Sequence, residues 1–73
     1  MDAEFEISLT SPPDREKLVS EVCFGNEQVV EINQESEELQ IEIYPRQSGE
    51  PWVFSYSEFL DVLNRAKQRL VGG

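Results

Sequence analysis

The chain has 73 residues, 38% of them hydrophobic and 29% charged, with 15 Asp and Glu against 6 Lys and Arg, a net charge of −9 and no histidine. A single domain, 1-73, fits this length, because so short a chain buries only about 60% of the surface its unfolded form exposes and cannot support two cores. The acidity argues against direct binding of nucleic acid, whose phosphates are held by Lys and Arg, and against docking on anionic membranes. The lack of histidine removes Ser-His-Asp and Cys-His catalysis and any histidine-containing zinc site.

Phe5, Ile7 and Leu9 alternate with Glu6 and Ser8, the period of a half-buried strand. Thr10-Ser11-Pro12-Pro13-Asp14 ends it, since proline offers no ladder donor and restricts the residue before it. A second strand is predicted from Lys17 to Phe24, with Leu18, Ser20, Val22 and Phe24 on one face and Val19, Glu21 and Cys23 on the other. Gly25-Asn26 is a turn signal. A third strand runs from Gln28 to Asn33, followed by the polar stretch Gln34 to Glu38. A fourth runs from Leu39 to Tyr44, where Leu39, Ile41 and Ile43 alternate with Gln40, Glu42 and Tyr44 until Pro45 stops the pattern. Arg46 to Pro51 is rich in turn formers and reads as an exposed loop.

The period then changes. Tyr56, Phe59, Leu60, Leu63 and Leu70 fall on one helical face, opposite Glu58, Asp61, Arg65 and Arg69, which predicts an amphipathic helix of about four turns. Ser55 with Glu58 three residues on is a capping box, the acids precede the bases as the helix dipole favours, and Gly72 can end the helix. Trp52 and Phe54 are expected to close the core ahead of it. The fold class is therefore α+β: a three- to four-stranded antiparallel meander sheet with one C-terminal amphipathic helix packed on one face.

Charge is not spread evenly. Residues 1–54 carry a net −10 and residues 55–73 a net +1, so the acid belongs to the sheet and its loops. With Leu18, Val22, Val30, Ile32, Leu39, Ile41 and Ile43 facing the helix, Val22 should pair with Val30 through a three-residue turn at Gly25 to Glu27. Ile32 should pair with Ile41 across Glu35 to Glu38. Glu21, Glu31 and Glu42 then form a lateral row on the exposed face, flanked by Val19, Val29, Asn33, Gln40 and Tyr44. A two-residue turn at Gly25-Asn26 would instead bring Val30 opposite Glu21. Like charges side by side cost up to about 1 kcal/mol per pair, so the row suggests use, the alternative being a solvated face screened by salt.

Nothing in the chain has the pattern of a catalytic, cofactor or metal site. The single Cys23 cannot form an internal disulfide and, on a strand with no neighbouring histidine, reads as an inert, partly buried hydrophobe. Paired carboxylates can hydrolyse glycosides only where a cleft desolvates one of them, so a carboxylate-dependent hydrolase is a minor alternative. Glu35-Ser36-Glu37-Glu38 lacks the length and glycine of a calcium loop. These residues point to a non-enzymatic domain without cofactor or metal that binds a basic protein, to which acidity steers association. Its candidate partner-binding residues are Glu21, Glu31, Glu42, Tyr44, Arg46 and Asn33, with Tyr44 and Arg46 having the composition of interface anchors. Acids occupy Met1 to Glu6 where a secretory signal carries bases, and no apolar run approaches the ~20 residues of a membrane span. A cytoplasmic location is expected.

Pro13-Asp14-Arg15-Glu16-Lys17-Leu18-Val19, Glu31-Ile32-Asn33-Gln34-Glu35, Glu42-Ile43-Tyr44-Pro45-Arg46, Pro51-Trp52-Val53-Phe54 and the closing helix with Phe59, Leu63, Ala66 and Leu70 cover most of the chain. Taken together, they resemble small immunity proteins of bacterial contact-dependent growth inhibition and related polymorphic toxin systems. The resemblance implies a cytoplasmic protein that binds the toxic C-terminal domain of a delivered toxin, often an RNase or DNase, and occludes its active site. The alternative is a regulatory or adaptor subunit that recognises another basic protein.

Overall fold

The computed structural model describes residues 5–72. It is an α+β fold of four strands followed by one helix: β1 (Phe5–Thr10), β2 (Val19–Phe24), β3 (Glu27–Asn33), β4 (Gln40–Ile43) and α1 (Tyr56–Gly72). The strands lie in the order β1-β2-β3-β4, each antiparallel to the next, so the sheet is the expected meander. The strands are trimmed relative to expectation at Lys17, Leu18, Leu39 and Tyr44. Among the described residues no helix is long and apolar enough to cross a membrane.

The β2–β3 hairpin resolves the choice of turn by using both options. Phe24 pairs with Glu27 around Gly25-Asn26, a two-residue turn, yet Val22 still pairs with Val30. Gly25 has φ +66° and no other described residue of the turn has a positive φ, the geometry of a type II′ turn, which follows the twist of the flanking strands. The register is recovered by a β-bulge: Cys23 faces Gln28 and Val22 faces Val30, leaving Val29 without an opposite number on β2. A bulge puts two consecutive residues on nearly one face. Val29 and Val30 are accordingly both buried in the core beneath the helix, and Val29 does not flank the carboxylates as parity alone had placed it.

The core consists of Val22, Val29, Val30 and Ile32 from the sheet and Val62 and Ala66 from α1. Burying each of the larger side chains contributes about 1.5–3 kcal/mol. The helix face is centred on Val62 and Ala66, four residues apart, with Phe59, Leu63 and Leu70 at its margins, whereas Tyr56 is 81% exposed. Alanine at the point of contact lets the helix backbone approach the sheet closely, so the smallest apolar residue marks the centre, which a reading by large side chains places one position away. Ser55 Oγ accepts from the Glu58 amide at 3.4 Å, the cap expected at the helix start.

α1 lies over β1 and β2. Beside it Phe5, Phe24, Phe54 and Phe59 form a cluster with ring centroids 4.9 Å apart for Phe5–Phe24 and Phe5–Phe54 and 5.2 Å for Phe54–Phe59. Trp52 stacks on Phe54 at 5.5 Å and its Nε1 donates to the Tyr44 carbonyl at 3.0 Å. Trp52 and Phe54 thus close the core as expected. Leu39, Ile41 and Ile43, expected under the helix, are exposed instead, because α1 sits over the β1 side of the sheet and does not reach β4; Leu18, expected there too, is exposed in the β1–β2 connection, ahead of the first residue of β2.

Candidate functional site: the carboxylate face

The sheet face opposite α1 carries the expected row. Ser8 faces Glu21, Glu21 faces Glu31 and Glu31 faces Glu42 across consecutive strand pairs, so three carboxylates are lateral neighbours. Left bare, two such contacts would cost up to about 1 kcal/mol each. The row is not bare. Ser11 to Leu18, the β1–β2 connection, crosses this face and lowers Arg15 between Glu31 and Glu42. Arg15 Nε donates to Glu31 Oε2 at 3.0 Å, Nη2 approaches the same oxygen at 2.9 Å, and Nη2 also binds Glu42 Oε2.

Glu31 is therefore no free surface carboxylate. It is 5% exposed. Besides Arg15 it accepts from Tyr44 Oη on Oε1 at 3.3 Å and from Asn33 Nδ2 on Oε2 at 3.3 Å. A carboxylate this deep is tolerated only when a counter-charge and further donors replace its water, and Arg15, Tyr44 and Asn33 supply them. This corrects the expectation of an open row: Glu31 and Asn33 are buried, and Val19, expected to flank the row in solvent, is buried as well. Glu42 keeps about half of its side chain in solvent, and Glu21, partly buried, accepts from the Thr10 hydroxyl at 3.2 Å.

Local sequence explains how the arginine gets there. Arg15 N donates to Pro12 O at 3.1 Å, closing a turn with Pro13 and Asp14 at its centre, residue types that favour this geometry. The connection is fastened at its other end by Glu35, whose carboxylate accepts from the Glu16 and Lys17 amides at 3.3 and 3.1 Å, and by Gln34 Nε2, which donates to Leu18 O at 3.1 Å. Asn33 Oδ1 accepts from Glu35 N at 3.3 Å, linking this fastening to the Glu31 network.

The electrostatic consequences follow the geometry. The Arg15 guanidinium is held more firmly protonated than usual, chiefly by its hydrogen bond to Glu42, against the opposing effect of burial. The Tyr44 phenol is pushed up to about 12 by burial and by the negative charges of Glu31 and Glu42. Tyr44 Oη also lies 3.4 Å from Glu42 Oε1, so it spans the same two acids as Arg15. The Cys23 thiol is raised by burial and then by Glu21 and Glu6, which leaves less of the reactive thiolate at neutral pH.

Of the six sequence-predicted residues, five share this face: Glu21, Glu31, Glu42, Tyr44 and Asn33. Arg46 belongs to a different group, stacking on Trp52 with its Cζ 5.3 Å from the ring centroid and donating to Pro51 O at 3.4 Å. The residue missed was Arg15. A signal existed: a row of three acids calls for a cation, and residues 1–54 hold only Arg15, Lys17 and Arg46. Chemically the face presents one buried and fully partnered carboxylate, Glu31, flanked by the more accessible Glu21 and Glu42, with one guanidinium among them. None of the family models, curated proteins or solved structures compared with this chain matches it.

Proposed function

We propose that this protein works by binding and not by catalysis, as an immunity protein that neutralises a basic toxin domain, an RNase or DNase, through electrostatically steered occlusion of its active site. The observation that carries this reading is charge segregation. Residues 1–54 hold a net −10, and the three carboxylates that meet across the sheet have a single guanidinium between them. A nuclease needs a basic groove for its phosphate substrate, and a carboxylate face is complementary to that groove. Internal hydrogen bonds hold the acids in place, so little side-chain entropy remains to be lost on association.

Co-expression with a basic nuclease toxin domain, sought in the genes adjoining that of this chain, tests the reading. The expected result is a one-to-one complex that abolishes nuclease activity and whose dissociation constant rises by about tenfold or more between low and high salt. Charge reversal at Glu42 or Glu21 is expected to weaken it by more than about 1 kcal/mol. Glu31 is left intact because its burial confounds binding with folding. Retained nuclease activity, or wild-type affinity in both variants, would overturn the proposal.

A further inference from the structure

β4 is the outermost strand on its side of the sheet, and among the described residues no strand lies beyond it. The Tyr44 amide donates to Val29 O at 2.9 Å. In an antiparallel ladder successive residues point their N–H and C=O groups alternately toward and away from the partner, so the backbone groups of Glu42 face β3 and those of Ile41 and Ile43 face outward. An edge of this kind is a template for another strand unless charge, proline or a bulge blunts it. β4 has Pro45 only beyond its end, and its outward-facing residues are isoleucines.

Below that edge the sheet is uncovered. Because α1 packs over β1 and β2, two adjoining depressions of about 270 and 470 Å³ run between β4 and the flank of α1. Leu39, Ile41, Ile43, Tyr56, Leu60 and Leu63 line them. Ile43 is 72% exposed and Tyr56 still more so, a concentration of large apolar groups that solvent-facing surfaces rarely carry without a partner. Above the edge, on the opposite face, stands the half-exposed Glu42, and residues 34–50, which comprise β4 and its flanking loops, carry a net −4.

We propose that β4 is a docking edge for an extended segment of a basic partner, whose alternating residues are apolar toward the groove and cationic toward Glu42. Such a segment would add a fifth strand, bonding to the outward backbone groups of Ile41 and Ile43 while its apolar side chains fill the space between β4 and α1. Charge selects this occupant over a second copy of the chain, since pairing two β4 edges would bring two molecules of charge −9 together and set one Glu42 close to the other. Among the described residues Lys67 is the one cation lining the groove. The inference rests on the basic-partner reading above but not on the partner being a toxin.

The test is an NMR titration of the whole protein with an end-blocked peptide of about seven residues alternating lysine and isoleucine, beside the same peptide with glutamate in place of lysine. The expected result is shift changes and slowed hydrogen exchange at the Ile41 and Ile43 amides, contacts from peptide isoleucines to Leu60 and Tyr56, and binding weakened about tenfold or more by the glutamate peptide and by Ile43→Lys. Ile43 is solvent-facing, so that variant leaves the fold intact. Equal binding of the two peptides would overturn both this inference and the basic-partner reading. Lysine-selective binding that perturbs the Glu21–Glu42 face and leaves Ile41 and Ile43 exchange unchanged would overturn this inference alone. So would no binding, peptide contacts without slowed exchange, or self-association through β4 in sedimentation.

Discussion

β3 and β4 carry the same pattern side by side, Val30-Glu31-Ile32 paired with Ile43-Glu42-Ile41, yet they end in different surroundings. Glu31 and Ile32 are 5% and 3% exposed, while Ile41 is 49% exposed and Ile43 more so. Alternation assigns a residue to a face of the sheet; the depth it reaches is set by what covers that face. β3 lies between neighbours on both sides, with Arg15 above and the core below. β4 has one neighbour, and α1 does not extend over it. The two strands therefore divide the labour, one holding the sheet together and one facing outward.

The difference can be tested strand by strand. Ile32→Ala removes packed side chain from the core and is expected to cost about 2–5 kcal/mol, read from the urea midpoint at constant slope, whereas Ile41→Ala should cost less than about 1 kcal/mol, as for other substitutions at half-exposed positions. Equal losses would mean that β4 is as enclosed as β3. The acids give a smaller contrast: Glu31→Gln gives up the ionised acceptor of Arg15 and Tyr44 and should cost about 1–3 kcal/mol, while Glu42→Gln at the rim should cost less than about 1 kcal/mol. A further contrast lies at alkaline pH. The folded protein holds Tyr44 protonated up to about 12 against an ordinary value of 10.0, so its contribution to stability is complete below about pH 10 and is lost as pH rises through 12. Tyrosinate absorbance should show this late ionisation, and Tyr44→Phe should remove both it and the accompanying fall in stability.

The meander, the helix with its cap, and the pairing of Glu21, Glu31 and Glu42 were legible in the sequence, because strand alternation and helical spacing are local signals. What could not be read locally depended on tertiary placement. The Val29 bulge arises because a two-residue turn at Gly25 and the pairing of Val22 with Val30 differ by one residue, and the chain satisfies both by leaving Val29 out of the ladder. The burial of Glu31 depends on Arg15, 16 residues away, a separation no periodicity reports. Leu39, Ile41 and Ile43 look like core residues because their pattern is that of a buried face; only the lateral position of α1 leaves them uncovered.

The Arg15 connection also bears on the order of assembly. Its partners lie 16 and 27 residues along the chain, whereas the β2–β3 hairpin closes around two residues, and short closures precede long ones when entropy governs the search. The carboxylates of neighbouring strands then meet before their counter-ion arrives, and the partly formed sheet is more strained by repulsion than the finished one. Dissolved salt can stand in for the arginine during that interval. Ionic strength should accordingly quicken the formation of this protein more than it steadies the completed structure.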